Sequence, residues 1–319
     1  MDPNYTKAET KTFSLPDGRT LSFAVFGAGA ETFHTTPSPA QQNQPRLALA
    51  VLFYFHGFPS SHEEASIFHA RRHAVQIIAL DRPGHAGSTF QPNRRILDWP
   101  ADVLAFADHF QIPRFGVLGL SGGRTGRVML TVAPWIAPVV AWGMEMPLGR
   151  AARDEARPGR FEEIVLEDLK TRPEVDREVL DGDVGGVRSA MLASVRDAVL
   201  PGGWGPAWDV KLAGSYWGFE IAELGVEAGE MVWWHGREDV NVPVGLAERA
   251  AECVPGAEVR FVEGEGHVSL VVRKADEVMS TLAGLLRETD RRLGIHHGCQ
   301  RGQFAVRLSY WLREALNTV

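Results

Sequence analysis

Cysteine is nearly missing from this chain of 319 residues, which has only Cys253 and Cys299. Neither belongs to a CxxC pair, so the sequence predicts neither a disulfide framework nor a zinc site. A chain of this length buries a large core without such crosslinks. Because sparse, unpaired cysteine is typical of a reducing compartment, we expect a cytoplasmic protein.

The chain also lacks an excess of basic residues and a long apolar segment. Lys and Arg number 33 against 40 Asp and Glu, for a formal net charge of −7, which argues against a nucleic-acid partner. The N-terminal segment MDPNYTKAETKTF has no apolar stretch of the kind found in signal peptides. The longest weakly polar run, 129–144, is interrupted by Pro134 and Pro138 and is too short to span a bilayer. We therefore expect no membrane partner.

Apolar runs alternate with helical patterns over most of the sequence. A hairpin is predicted at 12–26 with Asp17 and Gly18 in its turn. Buried strands are predicted at 47–55, 75–80, 115–120, 139–146, 231–234 and 259–262. Helices are predicted at 63–72, 96–110, 244–253 and 275–287. This alternation predicts an α/β fold, with a mostly parallel sheet and helices on both faces.

Two regions break the alternation. We predict a core of 1–146 and 229–290, an inserted helical cap at 147–228, and a C-terminal helical tail at 291–319. The cap has its best helical patterns at 162–170 and 187–199. In the tail, one helical face holds Phe304, Leu308, Trp311, Leu312 and Leu316. Such a face docks on the body or on another chain, so a homodimer through Leu308, Trp311 and Leu312 is one prediction.

Ser121 is the candidate nucleophile. It lies in GLSGG at 119–123, which matches the pattern G-x-S-x-G. The segment directly follows a predicted strand and precedes a helical pattern, which is the setting of a nucleophile elbow. Its small flanking residues suit a strained turn that projects the hydroxyl. The alternative is a glycine-rich turn without chemistry.

A serine hydroxyl needs a base, and the base needs an acid that orients it. Among 11 histidines, His267 stands out because it lies in GEGH at 264–267, just beyond the last predicted strand, where an α/β sheet places its site. Asp239 follows the preceding predicted strand, one helix and one strand earlier. We therefore predict His267 as the base and Asp239 as the orienting acid. Glu238 and Glu145 are the alternatives for the acid.

Two backbone amides are candidates for stabilising an oxyanion. Gly122 directly follows the nucleophile, and Phe58 lies in HGFP at 56–59, directly after a predicted strand. The alternative for 56–59 is an ordinary tight turn. The loop DRPGHAGS at 81–88 either lines the site or is structural. We favour the structural role, with Asp81 binding backbone amides.

The motifs HGFPSS, DRPGHAGS, GLSGG, WHGREDVNVP and GEGHVSL resemble those of the α/β-hydrolase superfamily in order and spacing. The resemblance covers about residues 12–288 and is weaker across 148–205. It is greatest to single-domain prokaryotic and fungal members of broad or unassigned specificity, and the cap segment at 208–219 also resembles that subgroup. It implies the same triad of Ser121, Asp239 and His267, and the same amides of Phe58 and Gly122. A serine at the elbow argues against epoxide hydrolases and haloalkane dehalogenases, which have Asp there.

The sequence departs from that pattern after the elbow and in the tail. The family continues with small residues and a compact helix, whereas this chain has RTGRVM at 124–129. Arg124 and Arg127 either reach the pocket or the surface, or they loosen the elbow. The tail from about residue 290 is also outside the pattern.

These features predict a serine hydrolase that cleaves a carboxylic ester or a related acyl bond without a metal or organic cofactor. The cap aromatics predict a largely apolar pocket for the acyl or alcohol part of a small-molecule substrate. They are Trp204, Trp208, Tyr216 and Trp217. Amide hydrolysis, carbon–carbon bond hydrolysis and acyl transfer use the same machinery. A catalytically silent binding protein is the alternative from another class, and the two arginines after the elbow motivate it.

Overall fold

A computed structural model describes residues 5–33, 50–68, 73–120 and 137–292. Ser121, Gly122, Arg124 and Arg127 lie outside the described residues, as does the predicted tail beyond residue 292. The roles predicted for these positions therefore stay predictions.

Seven strands lie in the described part of the chain. They are β1 (Lys11–Ser14), β2 (Thr20–Gly27), β3 (Ala50–Phe55), β4 (Val75–Leu80), β5 (Gly116–Gly119), β6 (Val232–Gly236) and β7 (Glu258–Val262). Five of them form a sheet in the order β1-β2-β4-β3-β5, and β6 pairs with β7. Strand β3 is parallel to both β4 and β5, and β6 is parallel to β7. The hairpin of β1 and β2 is antiparallel, so the predicted mostly parallel α/β fold is confirmed.

Helices connect and cover these strands. They are α1 (Asp98–His109), α2 (Ala137–Met144), α3 (Arg160–Leu169), α4 (Glu174–Asp181), α5 (Val187–Val199), α6 (Trp204–Gly214), α7 (Val244–Glu252) and α8 (His267–Arg292). A 3-10 helix at His62–Phe68 follows β3. The periodicity of the sequence located α1, α3, α5 and α7 to within two residues, while α4 and α6 were not predicted. Helix α8 begins eight residues before its predicted start, at His267 itself.

Successive side chains along a strand point to opposite faces of the sheet, and in the central sheet both faces are covered. On β3, Phe53 lies in a cluster with Phe106 of α1. Its neighbour Tyr54 points to the other face, into a cluster with Met279 of α8. Trp234 of β6 packs against this second cluster, so α8 contacts both the five-stranded sheet and the β6–β7 pair.

The prediction of a buried strand at 139–146 is wrong. The structure has helix α2 there, and a π-helical turn at Glu145–Gly149 continues it. A short apolar run fits a buried strand or a helix equally well by periodicity. The exposed fractions of Val139 and Trp142 are 53% and 65%, whereas a strand inside a parallel sheet is covered on both faces.

The helices described between β5 and β6, which lie mostly in the predicted cap, share an apolar core of their own. That core contains Phe161 of α3, Val179 of α4 and Leu192 of α5. Val268 and Val272, from the first turns of α8, pack against the same cluster. The cap is therefore joined to the element on which His267 lies. Of the helices described, none is both long and apolar enough to cross a membrane.

Candidate active site

His267 and Asp239 meet at the carboxyl ends of β7 and β6, as the sequence predicted. The Nδ1 atom of His267 lies 2.8 Å from Oδ2 of Asp239. The carboxylate is nearly buried, with 5% of its side chain exposed, while 21% of the imidazole side chain is exposed. Hydrogen bonding at Nδ1 leaves Nε2 as the ring atom that can accept a proton.

The loop that follows β6 fixes the carboxylate of Asp239. Its Oδ1 atom accepts the amides of Asn241 at 2.8 Å and Val242 at 2.9 Å. His235 closes the same loop by donating from Nε2 to the carbonyl of Val242 at 2.9 Å. Burial opposes the ionised form of Asp239, but the hydrogen bond and charge of His267 and the Val242 amide outweigh it, so the pKa of Asp239 lies below its usual value. A carboxylate held in this way stabilises an imidazolium.

Gly236 allows close contact between the loop after β6, which holds Asp239, and the loop after β7, which leads to His267. A Cβ atom at Gly236 would lie 2.2 Å from the carbonyl oxygen of Glu265, closer than any side chain tolerates. The amide of Glu238 donates to that same carbonyl at 2.9 Å. The contact between the loops is therefore a backbone contact, and it brings Asp239 within reach of His267.

The two alternative acids do not contact the imidazole. Glu238 is exposed and, in the described structure, it approaches the base loop only through its backbone amide. Glu145 is in the π-helical turn after α2, where it pairs with Arg153. Of the three predicted candidates, only Asp239 therefore hydrogen bonds to His267.

Asp176 was not among the predicted residues, yet it binds the backbone of the segment 267–269, which begins with the proposed base. It lies on α4 of the cap and is completely buried. Its Oδ2 accepts the backbone amide of His267 at 3.2 Å, and its Oδ1 accepts the amides of Val268 at 3.0 Å and Ser269 at 2.8 Å. Local sequence gives no signal for this contact, because Asp176 precedes His267 by 91 residues.

The peptide between Gly57 and Phe58 is held from one side. Its carbonyl oxygen accepts Arg82 Nη2 at 2.9 Å and His56 Nδ1 at 2.9 Å. In a trans peptide the N–H points opposite to the C=O, so the amide of Phe58 is directed away from Arg82. This amide has no acceptor within the described ranges, as expected of a donor available to a ligand.

Asp209 of α6 links the cap to this peptide through Arg82. Its Oδ2 accepts Arg82 Nε at 2.7 Å, and its Oδ1 pairs with Arg94. Burial disfavours the charged carboxylate, but Arg82, His85 and Arg94 outweigh that effect and lower the pKa of Asp209 to about 2. The cap is thus anchored by charge beside the proposed oxyanion amide.

Asp81 has the structural role that we favoured. Its Oδ1 accepts the amide of His62 at 2.7 Å, and its Oδ2 accepts the Ser22 hydroxyl at 2.7 Å and lies 2.7 Å from His62 Nδ1. Burial opposes protonation of His62, yet Asp81 and Glu63 outweigh it and raise its pKa to about 10. The result is a buried imidazolium between carboxylates that ties the loop after β4 to β2.

One cluster of the described residues has the spacing of a metal site: His62, Glu63 and Asp197 have ligand atoms within 4.8 Å of one another. Protein groups already satisfy these atoms. Lys7 Nζ binds Asp197 at 2.7 Å, and the Tyr5 hydroxyl donates to Glu63 at 2.5 Å. Because His62 and Lys7 supply the positive charge, the cluster is a network of ion pairs and has no need of a metal.

Solved structures of hydrolases have the same fold. An enol-lactonase from Burkholderia xenovorans is 16% identical with a TM-score of 0.56, covering 87% of this chain and all of its own. A thermophilic esterase from Thermogutta terrifontis is 16% identical (TM-score 0.53), covering 88% of this chain and 99% of its own. An epoxide hydrolase from Vigna radiata is 14% identical (TM-score 0.52), covering 88% of this chain and 98% of its own. At such low identity these likenesses show the fold alone.

Family membership is shown by the sequence. No curated protein matches the chain. A family model described as the alpha/beta hydrolase family matches residues 51–281, a span that contains Phe58, Ser121, Asp239 and His267. The chain therefore belongs to the α/β-hydrolase family and is a hydrolase.

Proposed function

We propose that this hydrolase cleaves a carboxylic ester or a related acyl bond with Ser121 as nucleophile, His267 as general base and Asp239 as the acid that orients the base. The observation that carries the proposal is the 2.8 Å contact between His267 Nδ1 and Asp239 Oδ2. The position of Ser121 in GLSGG, directly after β5, supports its role. A strand that leads into G-x-S-x-G is the usual origin of the nucleophile in this fold.

In the proposed reaction, Oγ of Ser121 attacks the acyl carbon while its proton passes to Nε2 of His267. The oxyanion is held by the amides of Phe58 and Gly122. Nε2 then gives the proton to the leaving alcohol, which leaves an acyl-enzyme. A water molecule, deprotonated by His267, attacks the acyl carbon and releases the acid and the serine hydroxyl. No other reactant is required.

The proposed substrate is a small molecule with an apolar acyl or alcohol part. Two apolar side chains beside the proposed residues are exposed: Phe58 by 41% and Val240, directly after Asp239, by 60%. Exposed apolar side chains beside a reactive centre favour apolar ligands. This surface would add binding energy with each methylene of the substrate, by up to about 0.8 kcal/mol.

The test is a series of p-nitrophenyl esters of increasing acyl length, measured with the wild type, Ser121→Ala and the control Ser280→Ala. Ser280 is exposed on α8, so its loss should leave kcat/KM within about twofold. Ser121→Ala should reduce kcat by about 10³-fold or more, and a fluorophosphonate should label the wild type at Ser121 alone. Full esterase activity in a folded Ser121→Ala variant would remove the proposal. A folded wild type without adduct or turnover would favour a binding protein.

A further inference from the structure

A buried carboxylate of the cap binds the backbone at the start of α8, where His267 lies. Asp176 of α4 accepts three consecutive amides, those of His267, Val268 and Ser269. The first amides of an α-helix have no partner within the helix, and a side chain just before the helix usually satisfies them. Here the carboxylate comes from a different structural unit, so the start of α8 depends on the position of the cap.

The residues around Asp176 are shaped for this contact. A Cβ atom at Gly266 would lie 2.5 Å from Asp176 Oδ1, so glycine at this position lets the carboxylate approach the backbone. The Gly266 amide turns instead to Ser269 Oγ, at 2.8 Å. Negative charge at a helix N-terminus is favourable, which compensates a carboxylate that is completely buried.

We propose that Asp176 is a positioning residue for catalysis, by which the cap fixes the backbone of His267 while Asp239 fixes its ring. This inference rests on the proposed function of His267. His267 is then held at two points, its backbone amide and the Nδ1 atom of its ring. With the backbone point loosened, the ring would keep its acid partner but would move relative to the nucleophile.

The burial of Asp176 separates this role from substrate binding. Its relative exposure is 0%, so it does not touch a ligand in the site. A displacement of about 1 Å at a catalytic group can reduce the rate about 100-fold. Substitution of Asp176 should therefore reduce kcat and leave KM nearly unchanged.

The test compares Asp176→Asn and Asp176→Ala with the control Glu178→Gln. Glu178 also joins α4 to α8, through an exposed 2.9 Å contact with Arg273, but it does not contact the amides of the first turn. The Asn variant keeps the shape and one acceptor oxygen, so it is expected to fold even if the Ala variant does not. We expect kcat to fall about 3- to 10-fold for Asn and about 10- to 100-fold for Ala. KM should stay within about twofold, and Glu178→Gln should match the wild type.

A second measurement reads the imidazole directly. The proton between His267 Nδ1 and Asp239 should give a far-downfield ¹H NMR resonance in the wild type and in Glu178→Gln. In Asp176→Asn it should broaden or shift, and Asp239→Asn identifies it by abolishing it. An Asp176 variant with wild-type kcat and an unchanged resonance would overturn the positioning role, as would a rise in KM at constant kcat. If Ser121→Ala stayed active, the proposed function would fail, while the resonance would still decide whether Asp176 positions His267.

Discussion

Replacing Asp239 by Asn is the sharpest test of the acid–base pair, because the structure predicts which hydrogen bonds survive. The Oδ1 atom of Asp239 accepts the amides of Asn241 and Val242, and the amide oxygen of an asparagine can take over both contacts. The asparagine NH₂ group then faces Nδ1 of His267, where Oδ2 stood at 2.8 Å. To satisfy that donor, Nδ1 must become an acceptor, so the ring proton moves to Nε2.

An imidazole protonated at Nε2 cannot accept the proton of Ser121, so the Asn variant should lose the base and keep the fold. In triads of this kind the substitution reduces kcat by about 10⁴-fold, which corresponds to about 5.5 kcal/mol in the activation barrier. Asp239 is held by two amides as well as by the base, so we expect a loss of about 10³- to 10⁴-fold. KM should change little, since the shape of the site is kept.

The assay is steady-state hydrolysis of a p-nitrophenyl ester, with the rate of fluorophosphonate labelling as a second readout of nucleophile activation. Glu238→Gln is the matched control, because it removes the neighbouring carboxylate, which is exposed, and should leave kcat/KM within about twofold. An Asp239→Asn variant that retained more than about a tenth of the wild-type kcat would refute the tautomer argument. A large loss in Glu238→Gln instead would assign the acid to the wrong residue.

Arg82→Ala should reduce kcat about 10-fold or more, because it frees the peptide whose N–H belongs to Phe58. Arg82→Lys should restore little of that loss, because the guanidinium of Arg82 binds two carbonyls and a carboxylate. Steady-state ester hydrolysis by both variants checks this prediction. The pKa of His62 is raised to about 10, so its stabilisation is complete below about pH 6.5 and is lost as pH rises through 10. Urea unfolding between pH 7 and 10 should show a decline of a few kcal/mol that His62→Gln flattens; equal slopes in the two proteins would contradict the charge assigned to His62. Phe106→Ala should reduce the free energy of unfolding by about 3–5 kcal/mol, because this fully buried ring packs against Phe13 and Phe53; a loss below about 1 kcal/mol would place the ring outside the core.

The predictions that succeeded rest on local signals. The acid lies in the loop after β6 and the base lies in the loop after β7, and parallel strands end at the same edge of a sheet. That reasoning correctly predicted the contact between Asp239 and His267. It also ranked Asp239 above Glu238, and the structure gives the cause: the carboxylate of Asp239 caps the turn at Asn241 and Val242.

The strand prediction at 139–146 failed because an apolar run carries no information about what covers it. Helix α2 presents Trp142 and Val139 to the outside, and Gly203 at the start of α6 allows close packing against it. A Cβ atom at Gly203 would lie 2.3 Å from the carbonyl oxygen of Ala141. That packing joins segments about 60 residues apart in sequence, which no local periodicity reveals.

The contacts between the cap and the proposed catalytic groups were not predicted from the sequence. Taken as an insertion, it was expected to supply apolar surface for a substrate. The structure adds two carboxylates: Asp176, completely buried, binds the amides at the start of α8, and Asp209, with 11% of its side chain exposed, binds the arginine behind the Phe58 peptide. Each is distant in sequence from its partner, and each looks like an ordinary helical acid until the fold is known. One carboxylate binds the backbone of the proposed base, and the other binds the arginine that holds the proposed oxyanion peptide, so substitutions that shift the cap should alter kcat as well as substrate preference. A cap that acted on specificity alone would have no need of carboxylates bound to the backbone of His267 and to the guanidinium of Arg82.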